Sequence, residues 1–158
     1  MATVGPRPIT NDERAKLIQA AFEAREYAYS PYSKFRVGAA FLSATGEIIK
    51  GCNIENASYG GTICAERTAL VKAASEGVRT FLALAVTTDV ATPISPCGMC
   101  RQFMREFCQL SMPILMVPGN YTAEHPAGVD GKGAIQYTTM GDLLPLSFGP
   151  EDLERPRQ

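Results

Sequence analysis

Two short cysteine-bearing segments, Cys64-Ala65-Glu66 and Pro96-Cys97-Gly98-Met99-Cys100, leave this chain few architectures. Cys97 and Cys100 are spaced as a metal clip, because two ligands three residues apart at a helix start can point at one ion. Cys64 stands at the start of an earlier helical stretch. The fold therefore has to bring two helix starts together. A sheet built with strand–helix–strand crossovers does this directly, since its successive helices begin at the same edge.

The rest of the pattern agrees with such a sheet. Thr10 followed by Glu13 forms a capping box, and Leu17, Ile18, Ala21 and Phe22 recur at helical spacing, which predicts a helix over 11–28 ended by Ser30-Pro31-Tyr32-Ser33. Phe35, Val37, Ala39 and Phe41 alternate as in a strand over 35–42. Thr45-Gly46 reads as a turn into a paired strand over 47–53. A helix over 64–76 stops at Gly77, a buried strand spans 81–88, a helix spans 97–107 and a strand spans 113–117. Residues 118–134 are rich in proline and glycine and read as a long surface loop, with a short strand and helical turn following over 134–144. Residues 1–9 read as a flexible tail. A length of 158 residues fits a single domain over 1–158, able to bury roughly 70% of its unfolded surface.

Composition excludes several classes of function. The net charge is −1 and the pI about 5.9, so no global basic charge invites a nucleic-acid backbone. No apolar run is long enough to span a bilayer, and no basic start leads into an apolar secretory segment, which places the chain in the cytoplasm. In a reducing compartment the five cysteines are read as metal-binding or catalytic rather than disulfide-bonded.

Three thiolates from Cys64, Cys97 and Cys100 leave one position of a tetrahedral zinc open. Catalytic sites keep such a position for water, whereas structural sites close it with a fourth protein ligand. The remaining candidates for closure are His125 in the loop, Cys52 at a strand end and Cys108 at a helix end, and none has clip spacing. Glu66 lies close to the metal by covalent geometry and can carry protons. Arg67 can donate to a ligand sulfur and draw charge from it, as can the two helix N-termini. Taken singly, each feature has a plainer reading: CxxC as a redox pair or structural zinc knuckle, Glu66 as a solvated helix residue, Arg67 as an ion-pair partner. Cys52 and Cys108 read as small buried hydrophobes.

In combination, these segments resemble the small homotetrameric zinc-dependent cytidine deaminases. The resemblance covers residues 12–117 and resumes near 138–153. Carrying it are Ser30–Phe35, Val37–Ala40, Gly51-Cys52-Asn53-Ile54-Glu55-Asn56-Ala57, Cys64–Ala69, Ser95–Gln102 and Ser147-Phe148-Gly149-Pro150. The zinc-deaminase signature itself is a ligand-x-Glu element followed by Pro-Cys-x-x-Cys. The resemblance implies a three-layer α-β-α sandwich around a mixed five-stranded sheet. It further implies one zinc per subunit on Cys64, Cys97 and Cys100, and conversion of free cytidine and deoxycytidine to uridine and deoxyuridine in pyrimidine salvage. Glu66 would protonate N3 while hydroxide attacks C4, then pass a proton to the departing amine.

Asn53 and Glu55 match the family's ribose-binding pair. Two residues apart on an extended segment, they point the same way, although on residue type alone they could equally end a strand in polar surface. Phe35 matches the residue that packs on the pyrimidine and could otherwise be one more core residue. By resemblance, Ala65 offers its backbone to the base, Phe148 reaches a neighbouring subunit's site, and Tyr59 is an interface candidate. The 118–134 loop is longer than the family's usual connection. Related aminopyrimidine deaminases of the blasticidin-resistance type share the zinc motif, but Asn53 with Glu55 favours an ordinary ribose. Polynucleotide editing, a structural zinc module and a thioredoxin-like redox role fit the pattern less well.

Overall fold

The computed structural model describes residues 7–126 and 133–156. Expectations for residues 1–6 and for 127–132 of the long loop lie outside the described residues. Five strands, β1 (Val37–Ser43), β2 (Ile48–Cys52), β3 (Phe81–Thr88), β4 (Pro113–Val117) and β5 (Gln136–Thr139), form one sheet in the order β2-β1-β3-β4-β5. β1 is antiparallel to both β2 and β3, β3 and β4 are parallel, and β5 closes the sheet antiparallel to β4. The sheet is thus mixed and five-stranded. Because β2 and β3 run the same way with β1 between them, both the β2-to-β3 and β3-to-β4 connections are crossovers through a helix.

One helix, α1 (Asn11–Arg25), covers one face of the sheet, and α2 (Ala65–Ser75) and α3 (Gly98–Arg105) cover the other. α1 begins with the expected capping box: the Thr10 side chain accepts from the Glu13 amide, and the Glu13 carboxylate accepts from the Thr10 amide. Leu17, Ile18 and Ala21 are buried against Ala40, Leu42, Ala83 and Ala85. On the other face Leu70 and Met104 meet Phe41, Leu84 and Ile114. Both β1 and β3 are therefore buried on both sides, which explains their nearly continuous apolar sequences. Ahead of α1, Arg7 pairs with Glu13, and Ile9 packs against the α1-side core.

α2 ends in a Schellman turn. Gly77 has φ +87°, its amide donates to Ala74 O, and the Val78 amide donates to Ala73 O. Close approach of α2 to the sheet depends on Gly51. A Cβ there would strike the Ala69 amide and lie 2.6 Å from Ala65 O. Gly38 has the same role beneath α1, where a Cβ would meet Ala21 O.

Several boundaries differ by one to three residues from those expected, α3 ending at Arg105 rather than 107 among them, and two of the differences have a visible cause. α1 stops at Arg25 rather than 28, because Tyr29 turns away to bond Asn53 O with its amide and to accept from the Glu55 amide. β1 starts at Val37 rather than 35. Lys34 sits in the left-handed region at φ 56°, and the Asn53 side chain takes the place of a strand partner for Phe35 O and the Val37 amide. α4 (Met140–Leu143) matches the expected helical turn, and a further turn, α5 (Pro150–Leu153), was not expected, although Pro150 at its first position with Glu151 and Asp152 in its first turn is a helix-start signal.

Replacing Gly51 with alanine overpacks the α2–β2 contact and should lower unfolding free energy by about 1–3 kcal/mol. Denaturant unfolding of metal-free protein measures this; an unchanged midpoint would show that α2 can move outward at no cost.

Candidate metal and catalytic site

The site forms where β2, β3 and β4 end, β1 begins, and α2 and α3 start. Cys64 is the N-cap of α2 and Cys97 the N-cap of α3, both with extended backbone. Serine, threonine or aspartate at an N-cap normally folds its side chain back onto the first-turn amides. Neither cysteine does so, which leaves both sulfurs free to face each other 3.8 Å apart. Cys100, one turn into α3, completes a group in which the three Sγ atoms all lie within 4.8 Å of one another. Among the described residues, this is the one such group of histidine, cysteine and acidic side chains.

The fit to zinc can be tested from these positions. Tetrahedral Zn–S bonds of about 2.3 Å hold sulfurs about 3.8 Å apart. The Cys64–Cys97 separation already has that value, and Cys100 is close enough to need only a small shift. The electrostatics point the same way. Cys64 carries charge readily: a hydrogen bond from the Cys100 thiol and another from Arg67 outweigh burial and lower it to about 5. Cys100 is pushed strongly upward, because it keeps its proton to donate to Cys64 and because it is buried beside Glu66. Three thiols this close do not ionise together unaided, and a divalent cation offsets their repulsion.

Glu66 is 4% exposed and enters the cluster from the first turn of α2, with Oε2 3.5 Å from Cys100 Sγ. Burial holds its carboxyl above the ordinary range. A buried carboxyl that exchanges a proton easily suits general acid–base work. Arg67 Nη2 lies 3.8 Å from Cys64 Sγ and 3.4 Å from Thr62 O, so it joins a ligand sulfur to the loop before α2.

Two of the remaining candidate residues, Glu55 and Tyr59, line a cavity of about 360 Å³ together with Tyr32, Ser33 and Thr62. Glu55 Oε2 accepts from the Tyr32 and Ser33 amides, and its other oxygen accepts from the Ser33 hydroxyl. The Ser33 hydrogen bond is the main reason its carboxyl is lowered, so it is an ionised acceptor. Asn53 is 8% exposed, with Oδ1 accepting from the Val37 amide at 2.8 Å and Nδ2 donating to Phe35 O at 2.8 Å. It keeps one N–H and one lone pair for another partner. Phe35 is half-buried beside it, and Ala65 is fully buried at the first position of α2.

Phe148 stands apart from this group, 58% exposed on the C-terminal segment, with Leu146 beside it fully exposed at φ 53°. That segment is tied to α3. Gln102 Nε2 donates to Phe148 O, Arg105 Nε donates to Ser147 Oγ at 2.9 Å, and Arg105 pairs with Glu151. The Arg105 guanidinium fills the space that a Cβ at Gly149 would need. Sequence reading assigned no role to Arg101, beyond its place in the Ser95–Gln102 segment, or to Arg105, because arginines on an amphipathic helix usually signal only a solvated face.

Cys52 and Cys108 lie outside the cluster. Cys52 Sγ donates to Tyr27 O, and burial pushes the Cys108 thiol up to about 12. His125 is exposed on the loop.

Comparison with known proteins matches this arrangement. Residues 11–116 fit the family model described as the cytidine and deoxycytidylate deaminase zinc-binding region. A cytidine deaminase from Sporosarcina psychrophila is 52% identical, over 87% of this chain and 93% of its own length. One from Halalkalibacterium halodurans is 49% identical, over 89% of this chain and 98% of its own. Among solved structures, cytidine deaminase from Burkholderia pseudomallei superposes with a TM-score of 0.73 at 41% identity, covering 89% of this chain and all of that one. That from Mycobacterium tuberculosis gives 0.69 at 35%, covering 86% and 97%. With the matched region running from α1 through β4 and so spanning all three clustered cysteines, the chain belongs to the cytidine and deoxycytidylate deaminase zinc-binding family.

Proposed function

We propose that this protein removes the 4-amino group of free cytidine and deoxycytidine by hydrolysis, giving uridine or deoxyuridine and ammonia. The observation that carries this reading is the buried Glu66 carboxyl against three converging thiols at two helix N-termini. Cys64, Cys97 and Cys100 would hold one zinc ion, which when bound supplies a Lewis acid that makes water a nucleophile near neutral pH.

The residues around it divide the remaining work. Glu66 takes a proton from the attacking water and delivers it to N3 of the pyrimidine as the bond to C4 forms. It then carries the proton of the new C4 hydroxyl to the amine, so that the C4 carbonyl forms as the C4–N bond breaks and ammonia leaves. Its burial supports both halves of that cycle, because a carboxyl held above its ordinary range gives up and regains a proton at little cost. The α2 and α3 N-termini, with Arg67, stabilise charge on the thiolates. Phe35 offers a flat apolar surface for the base, and the Ala65 backbone faces it from α2. Glu55, ionised, accepts from a sugar hydroxyl, while the spare N–H and lone pair of Asn53 serve the same diol. The exposed Phe148 and Leu146 support a role for the C-terminal segment at a neighbouring subunit, in a homotetramer. Reduced thiols at the site favour the cytoplasm, and no described helix is long and apolar enough to cross a membrane.

The direct test follows the ultraviolet absorbance of cytidine mixed with zinc-loaded protein and identifies the product. Uridine should form with wild type and not with metal-stripped protein. A folded, zinc-loaded enzyme that left cytidine and deoxycytidine intact would refute the reading. Glu66→Gln should retain zinc and lose nearly all turnover, at least about 10²-fold, the lower range for a lost general acid–base group; wild-type turnover would remove Glu66 from the reaction. Cys97→Ala should lose metal and melt at lower temperature, since metal binding and folding are coupled. Undiminished zinc content would refute that ligand. Sedimentation equilibrium should give four times the chain mass, and a monomer would overturn the tetramer.

A further inference from the structure

We propose that Arg101 is a positioning residue of the metal clip, fixing the direction from which Cys97 meets the metal; this rests on the reading of Cys64, Cys97 and Cys100 as zinc ligands. Cys97 is the most exposed of the three cysteines, and its side chain has no bond to the helix it caps. The segment before it, 89–97, has neither helix nor strand to stiffen it. Something else has to hold this ligand in place.

One turn into α3, Arg101 spends all three guanidinium nitrogens on that task. Nε donates to Pro96 O at 2.7 Å, Nη2 to Ser95 Oγ at 2.8 Å, and Nη1 to Leu143 O at 2.9 Å. Pro96 O belongs to the peptide bond that enters Cys97. Holding it fixes the plane from which the Cys97 Cα–Cβ bond projects. Pro96 is itself fully buried, so the carbonyl has little freedom to follow a misplaced partner. The third donor reaches the end of α4 and ties the clip to the C-terminal part of the chain.

The planar fork of arginine suits this arrangement. Three acceptors spread around one plane match a guanidinium, whereas an ammonium on a flexible stem cannot serve all three at once. Arg105, one turn further on, directs its bonds to Ser147 and Glu151 instead and does not touch the approach to Cys97.

The test compares zinc-loaded wild type, Arg101→Lys and Ser95→Ala, the last removing one of the three bonds. Three quantities are read: zinc release to the chromogenic chelator 4-(2-pyridylazo)resorcinol, the visible ligand-field spectrum after cobalt(II) substitution, and thermal unfolding of metal-free protein. Arg101→Lys should release zinc about 10- to 100-fold faster, the range for losing a partner that orients a metal ligand. Ser95→Ala should do so severalfold. The cobalt bands should shift in both variants, and zinc release should accelerate by more than any fall in metal-free stability accounts for. Wild-type release rates with an unchanged cobalt spectrum in Arg101→Lys would overturn the proposal. So would faster release matched by a fall in metal-free stability with Ser95→Ala silent, which marks a merely structural residue. If Arg101→Lys fails to fold, Ser95→Ala decides, and an unchanged release rate and spectrum overturn the assignment. Wild type that binds no zinc would instead refute the ligand reading itself.

Discussion

Everything in this molecule depends on two helix N-termini meeting at one end of a sheet. Crossover connections impose that meeting: β2 leads into α2 and β3 into α3, both from strands that run the same way. A thiol at each N-cap then faces its counterpart without any long-range adjustment of the chain. The cost is electrostatic, since thiols at this distance resist common ionisation. That same resistance makes the cluster a place for a cation rather than an inert pair of caps. Helix dipoles and Arg67 act in one direction with the metal, and the buried Glu66 is set where charge is already being managed.

The sheet can deliver these groups because its helices pack close against it. Gly38 and Gly51 remove the side chains that would hold α1 and α2 away. Moving α2 outward would carry Cys64 and Glu66 together, so the packing at Gly51 and the chemistry at the cluster are parts of one constraint. Asn53 links the sheet to the substrate side in a similar way. It finishes the pairing that β1 lacks at Phe35 and Val37, and it retains hydrogen-bonding capacity for a ligand.

Much of this was legible in the residues. β3 and β4 fall at the expected bounds, because an apolar run between two helix layers has no competing signal. The Thr10–Glu13 box and the Gly77 stop likewise act through local chemistry alone. The clip spacing located the metal cluster. The misses occur where long-range bonds override local preference. Phe35 alternates like a strand residue, yet Asn53, distant in sequence, takes its carbonyl. α1 stops early because Tyr29 pairs with Asn53 and Glu55. The bonds of Arg105, and the one from Arg101 to Leu143, are set by segments that pack onto α3 from elsewhere in the chain, and no spacing in the sequence announces them.

The binding of the C-terminal segment to α3 has one more consequence. Arg105, Gln102 and the bare Gly149 hold residues 147–151 in place within a single subunit, while Leu146 and Phe148 point outward. A loose tail would have to surrender its conformational freedom at the moment another surface met it, and that loss would be subtracted from the affinity gained. Here the ordering is done in advance by folding. The two apolar side chains are presented on an ordered backbone, so whatever docks on them gains their burial at a smaller conformational-entropy cost.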